Sequence, residues 1–128
     1  MQDLRQEAQS GIMPGVFFRP HSFQPTFQKH AGKLCGGLQM HILDRRVFKP
    51  VLTGIAILRS IYKLYPESFE WKEPPYEYVY DKNPFDVIAG TGSLRAQIEK
   101  GTPLNEIEQS WQPELEKFKS VRSNYLIY

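Results

Sequence analysis

The chain has 128 residues, of which 41% are hydrophobic, and this length and composition suit one domain with a single core. Its 16 Lys and Arg residues nearly balance its 14 Asp and Glu residues, and no run of five or more like charges occurs, so we expect neither a nucleic-acid partner nor a patch for anionic membranes. No apolar run approaches the roughly 20 residues that cross a bilayer, so we also expect no membrane span.

The N-terminus is polar and precedes the first strand-forming residues. We interpret residues 1–13 as a linker or the end of a preceding domain, and residues 14–128 as a single α+β C-terminal domain. Residues 1–15 lack the basic start and the apolar stretch of a secretory signal. An export signal at the start of a preceding domain would lie outside this sequence, so the compartment stays open.

Two strand regions are predicted in the N-terminal half. The first covers residues 15–19, and the two prolines of Pro20–Pro25 oppose a central strand and predict an irregular connection. The second covers residues 33–44, where Gly36 and Gly37 suggest a bulge or a close backbone approach.

The second strand region alternates apolar and polar side chains. Successive residues of a strand point to opposite faces. One face should therefore carry Leu38, Met40 and Ile42, and the other should carry Gln39 and His41. We expect the first face to pack and the second to be presented.

A helix is predicted to begin at Pro50 and to end before Pro66. Its apolar residues recur at helical spacing, and they are Val51, Leu52, Ile55, Leu58, Ile61, Tyr62 and Tyr65. Residues 69–72 and 76–80 are aromatic strand candidates, and the two prolines between them favour an edge hairpin or a loop.

Three further helices are predicted towards the C-terminus. A helical turn covers residues 83–88, and Ser93 is predicted to cap a helix over residues 94–100 that Gly101 ends. Thr102 followed by a proline starts the last helix, whose apolar stripe is Leu104, Ile107, Trp111, Leu115, Phe118 and Val121. Pro113 should kink this helix or split it in two. Early strands and late helices together predict an α+β fold.

Several segments together resemble the C-terminal domain of the exo-β-N-acetylmuramidase family, formerly described as a domain of unknown function. They are FRPHSFQPTFQKHAGKLCGGLQMHILD at residues 18–44, Phe48 and Pro50, LYPESFEW at residues 64–71, the turn at residues 86–90, LRAQIEKG at residues 94–101 and the final YLIY. Members of this family resemble bacterial glycosidases of peptidoglycan recycling, in which a Rossmann-like domain and a smaller barrel-like domain enclose the active-site cleft.

The resemblance implies a fold and partners for this chain. It implies the smaller domain, with a barrel-like or curved sheet from the N-terminal half packed with helices from the C-terminal half. A Rossmann-like catalytic domain in cis and a peptidoglycan-derived muramyl saccharide are the implied partners. The compartment of such a bacterial protein could be periplasmic, extracellular or cytoplasmic, because the preceding part would decide it.

The resemblance also implies substrate-binding residues. Motif positions of the smaller domain are occupied by Arg19, Thr26, Gln39, His41 and Asp44, and we expect some of them to line the cleft. An arginine presents a planar fork that suits the lactyl carboxylate of muramic acid.

Each polar candidate has a structural alternative. Arg19 could pair with Asp44 to fix two strands together, Thr26 could cap the turn after Pro25, and His41 could be a structural histidine. Among the aromatic residues, we add Phe23 and Tyr76 as candidate sugar platforms, because both lie beside proline-rich loops.

No catalytic residue is predicted in this chain. Glycoside hydrolysis usually needs two carboxyl groups about 5–10 Å apart. Glu67, Glu70, Glu73 and Glu77 lie in a proline-interrupted segment, where such spacing is typical of a solvated face. The resemblance implies that the catalytic carboxylates belong to the Rossmann-like domain. Whether the protein is an enzyme therefore depends on that domain, and we expect this chain alone to be inactive.

Two alternatives to a saccharide-binding role within a hydrolase are a metal site and a noncatalytic domain. His21, His30, Cys35, His41 and Asp44 fall in one segment, but their spacing matches no familiar zinc pattern, and we expect no metal and no cofactor. Alternatively, the chain is a noncatalytic interaction or glycan-binding domain, whose apolar surface docks on a partner domain.

Overall fold

The computed structural model describes residues 11–127, which contain two strands and four helices. Their bounds are β1 Val16–Phe23, β2 Cys35–Ile42, α1 Pro50–Leu64, α2 Pro84–Ala89, α3 Ser93–Lys100 and α4 Leu104–Ser123. Strands precede helices, which confirms the α+β class. Two compact units divide the chain, Met1–Thr53 and Gly54–Tyr128. Most of the predicted linker at residues 1–13 lies outside the described residues, and the single domain over residues 14–128 stays a prediction.

The two strands form an open antiparallel sheet. Val16 pairs with Ile42 at one end, and Phe23 pairs with Cys35 at the other. Within residues 11–127 no further strand joins this sheet. The resemblance implied a barrel-like or a curved sheet. The sheet is not closed, which is consistent with the curved form.

The first strand is longer than its sequence predicts. β1 continues through Pro20 to Phe23, so the prediction of an irregular connection beginning at Pro20 was wrong. Each strand of a two-stranded sheet has a free edge, and proline, which has no N–H to donate, is tolerated on an edge strand. The irregular connection begins only after Phe23.

The predicted bulge at the two glycines of β2 is absent. Ser22 pairs with Gly36 and His21 pairs with Gly37, one residue opposite one residue. A Cβ added to Gly37 would lie 3.0 Å from Cε1 of Phe23. The close approach at this glycine is thus made by an aromatic ring rather than by backbone.

The packed face of the sheet is supplied mainly by β1. Val16 and Phe18 are buried, and Phe18 is only 1% exposed. Their cross-strand partners Ile42 and Met40 are 47% and 45% exposed, and Leu38 is partly buried. The prediction that Met40 and Ile42 would pack was therefore wrong. They share a face with the buried β1 side chains, but they are not covered to the same extent.

Helix α1 begins at Pro50 and ends at Leu64, as the sequence predicts. Leu52, Ile55 and Ala56 are buried along it. Residues 69–72 form no strand, and a single bridge joins Tyr76 to Val79, so this proline-rich segment is a loop with one tight turn.

The caps of the short helices follow the sequence except at Ser93. Asn83 Oδ1 accepts a hydrogen bond from the backbone N–H of Phe85 at 2.9 Å, and the left-handed Gly101 ends α3. Gly92, not Ser93, is the N-cap of α3, so the predicted serine cap was wrong. The backbone N–H of Ser93 instead donates to Thr91 Oγ1 at 3.2 Å.

Helix α4 is continuous through Pro113, so this proline does not split it. An ion pair connects the two helices that precede α4. Arg95 Nε donates to Asp86 Oδ1 at 3.0 Å, and Arg95 also contacts Glu99 at 3.3 Å. The hydrogen bond to Asp86 raises the pKa of Arg95. This pair fixes α2 against α3.

Candidate functional site

The sheet presents one face that combines polar and aromatic side chains. Directly paired residues of an antiparallel sheet lie on the same face. The register pairs Phe17 with His41 and Arg19 with Gln39, and it places the remaining alternate residues of β1 beside them. We call this surface the polar sheet face, and its side chains are Phe17, Arg19, His21, Phe23, Cys35, Gln39 and His41.

Arg19 and Gln39 form the centre of the polar sheet face. Arg19 Nη2 donates to Gln39 Oε1 at 2.7 Å, and both side chains are exposed. A guanidinium has five N–H donors, so this bond orients the group and leaves donors for another acceptor. Arg19 bonds Gln39 rather than Asp44, and the suggested Arg19–Asp44 pair is not formed.

His41 lies next to this pair on the same strand as Gln39. The imidazole is partly buried, its Nε2 atom is inaccessible to solvent, and that atom has no hydrogen-bond partner within residues 11–127. The ring centroid lies 6.5 Å from that of Phe17, at an interplanar angle of 48°. An imidazole nitrogen donates or accepts according to tautomer, but the ring would have to turn before Nε2 could bond a ligand.

Aromatic rings flank the polar pair along β1. His21 and Phe23 stack with centroids 6.4 Å apart and planes 12° apart, and Phe23 rests against Gly37. Phe17 on the other side of Arg19 is 47% exposed. Partly exposed aromatic rings beside directional polar groups are a combination that small-molecule sites use.

Asp44 is held outside this arrangement by a neighbouring arginine. Its two carboxylate oxygens accept from Arg46 at 3.1 and 2.8 Å, and Oδ1 also accepts from the backbone N–H of Arg46 at 2.9 Å. The Arg46 side chain, and then its backbone N–H, lower the pKa of Asp44. The carboxylate therefore stays ionised and is engaged in closing the turn after β2.

Thr26 and Tyr76 do not lie on the two strands that form the polar sheet face. Thr26 lies exposed in the loop between β1 and β2, which is closed by a hydrogen bond from Gly32 N to Pro25 O at 2.9 Å. Tyr76 belongs to the other compact unit, where it exchanges two 3.0 Å backbone hydrogen bonds with Val79. The sheet thus brings together Arg19, Gln39, His41 and Phe23 of the seven predicted residues.

Phe17 and His21 belong to the polar sheet face but were not among the predicted residues. Both lie at the period of two that Arg19 and Phe23 follow in β1. Phe17 follows this period within the predicted strand of residues 15–19, and extending that strand through Pro20 would have added His21.

Neither a metal site nor a membrane-spanning helix occurs in the described part of the chain. No group of three or more His, Cys, Asp or Glu side chains there is placed to hold a metal ion. Cys35 is a free thiol. None of the helices between residues 11 and 127 has the length and apolar character needed to cross a membrane.

Comparison with known proteins identifies the family. Residues 1–128 match the family model described as exo-beta-N-acetylmuramidase NamZ, C-terminal. The chain is 40% identical over 126 residues to the peptidoglycan beta-N-acetylmuramidase NamZ of Bacillus subtilis (strain 168), and the match covers 98% of this chain and 28% of that protein.

A solved structure shows the same fold. The crystal structure of a DUF1343 family protein from Bacteroides fragilis superposes with a TM-score of 0.72 at 20% identity, over 99% of this chain and 32% of that one. The chain therefore spans less than a third of the length of either relative. Since the family model matches every residue, the chain belongs to the C-terminal family of the exo-β-N-acetylmuramidase NamZ.

Proposed function

We propose that this chain forms one wall of the substrate cleft of an exo-β-N-acetylmuramidase and that its polar sheet face binds the terminal N-acetylmuramic acid of peptidoglycan fragments. A preceding Rossmann-like domain of the same polypeptide supplies the catalytic carboxylates. The name of the B. subtilis relative and its greater length support this proposal.

The Arg19–Gln39 pair is the observation that carries the proposal. N-acetylmuramic acid differs from N-acetylglucosamine by a lactyl ether that ends in a carboxylate. A guanidinium oriented by Gln39 at 2.7 Å is ready to bind that carboxylate through two parallel hydrogen bonds. His41 and the flanking rings would then contact the hydroxyl groups and the apolar face of the sugar.

A second function, glycan binding without hydrolysis, is favoured by the composition of the same surface. The polar sheet face contains no carboxylate side chain, and the four glutamates between residues 67 and 77 are exposed to solvent. Hydrolysis by two carboxyl groups at this face therefore needs side chains from outside the face. Both functions, the cleft wall of a hydrolase and glycan binding without hydrolysis, predict that the chain alone binds the saccharide and does not hydrolyse it.

We expect Arg19→Ala to weaken binding of N-acetylmuramyl-N-acetylglucosamine to the 128-residue chain by about tenfold or more. Loss of a hydrogen bond to a charged group costs about 1.5–3 kcal/mol. Isothermal titration calorimetry measures the change. Arg45→Ala is the matched control, because it removes the same charge from the exposed turn after β2 and should leave the affinity unchanged.

A second ligand separates carboxylate recognition from general sugar binding. Di-N-acetylglucosamine lacks the lactyl carboxylate, so it should bind more weakly than the muramyl disaccharide, and Arg19→Ala should not weaken it further. Equal loss of affinity in the Arg19 and Arg45 variants would contradict a specific role for Arg19.

A further inference from the structure

Helix α4 has one apolar stripe, and only the first part of it is covered. Ile107 near the start of the helix is 0% exposed and Leu104 is also buried, whereas Phe118 on the same stripe is 61% exposed. Val121 is 52% exposed. We call the second part, formed by Leu115, Phe118 and Val121, the distal α4 face.

The spacing of the distal α4 face is that of a packing surface. Its residues continue the three- and four-residue steps of Leu104 and Ile107 without interruption, so they lie along one side of the helix. Elsewhere on the same part of the helix, Lys119 donates to Glu116 at 2.7 Å. The stripe is therefore buried at its start, partly buried at Leu115 and exposed beyond it, which leaves an apolar face open for a contact.

The size of the distal α4 face distinguishes between two possible occupants, a separate molecule and a domain of the same polypeptide. Seven residues of helix extend about 10 Å along the axis, and a helix is about 10 Å wide. Stable complexes between separate molecules bury roughly 800 Å² on each partner, which is several times this footprint. A tethered domain needs less area, because the covalent connection gives it a millimolar effective concentration.

We propose that the distal α4 face docks on the domain that precedes this chain in the same polypeptide. This inference rests on the proposed function, since it locates the contact with the catalytic domain. More than two thirds of the B. subtilis relative lies outside the segment that this chain matches, so a partner of sufficient size is present in that protein. Docking there would fix the orientation of this domain.

Hydrogen exchange tests this contact in a joined polypeptide. The 128-residue chain replaces the matched segment of the B. subtilis relative, and exchange at residues 115–121 is compared between the joined polypeptide and the chain alone. We expect exchange at these residues to be at least about tenfold slower in the joined polypeptide, which corresponds to about 1.4 kcal/mol of docking. Equal exchange in the two proteins would overturn the proposal.

Two variants make the test specific. Phe118→Glu should abolish the added protection, because it places a charge in the contact, whereas Ser120→Glu adds the same charge at an exposed position outside the stripe and should retain it. Protection that survives Phe118→Glu would contradict the assignment. So would a dimer of the isolated chain, detected by sedimentation velocity, that Phe118→Glu dissociates, since the occupant would then be a second copy.

Saccharide binding separates this proposal from the proposed function. Phe118→Glu should leave the affinity of the isolated chain for the muramyl disaccharide unchanged. Arg19→Ala should weaken that affinity and keep the protection at residues 115–121. If Phe118→Glu removes the protection and keeps saccharide binding, the result supports the docking surface independently of the saccharide site.

Discussion

Phe18→Ala should destabilise the sheet unit by about 3–5 kcal/mol, the cost of removing a large buried aromatic side chain and leaving a cavity. Phe18 is only 1% exposed, and it lies on the buried face of β1. Its partner across the sheet, Met40, is 45% exposed. We expect the Met40 side chain not to fill the cavity that the lost ring leaves. Urea unfolding followed by far-UV circular dichroism measures the loss.

Phe17→Ala is a matched control for this variant. Phe17 is the preceding residue of the same strand, carries the same side chain and is 47% exposed on the opposite face. Its truncation removes much less buried area, and we expect a cost of about 1 kcal/mol. Similar losses in the two variants would show that the strand faces have been assigned incorrectly.

Gly15→Ala should cost about 1–3 kcal/mol more than the same change at Gly32, which is the usual cost of forcing an added group into filled space. Both glycines have φ of +73°, so both variants pay the penalty of about 1–2 kcal/mol for an L-residue in the left-handed region. A Cβ at Gly15 would also lie 2.5 Å from the carbonyl oxygen of Asp44, whereas a Cβ at Gly32 meets nothing within 4 Å. Backbone must shift to relieve the first contact.

The strand end explains why that shift is costly. Gly15 O accepts hydrogen bonds from the backbone N–H groups of Leu43 at 2.8 Å and Asp44 at 3.3 Å, and Asp44 O accepts one from Phe48 at 3.1 Å. Moving Asp44 away from a new Cβ would strain all three bonds. Thermal unfolding of the two variants measures the difference, and equal midpoints would mean that the turn relaxes freely.

Local sequence signals predicted much of this fold. The alternation around Gln39 correctly placed it with His41 on one presented face, and the bounds of α1 followed from its apolar spacing and Pro66. The glycine that ends α3 was equally clear at Gly101. Each of these signals acts within a few residues, so no knowledge of distant contacts is needed to interpret it.

Other features depend on pairing between distant segments. The proline at residue 20 was interpreted without knowing that β1 is an edge strand. The predicted strand was therefore too short and left His21 outside it. Sequence could not show that Asp44 bonds Arg46 and that Arg19 bonds Gln39, because several partners were available to each. Pro113 does not split the last helix, and a kink at this residue stays a prediction.

Backbone NMR of the isotope-labelled chain, titrated with N-acetylmuramyl-N-acetylglucosamine, tests the central claim most directly. If the polar sheet face binds the muramyl residue, saturable shifts should concentrate at Arg19, Gln39 and His41, with smaller changes at Phe23. An absence of shifts at millimolar ligand, or shifts confined to positions outside the sheet, would contradict saccharide binding by this face.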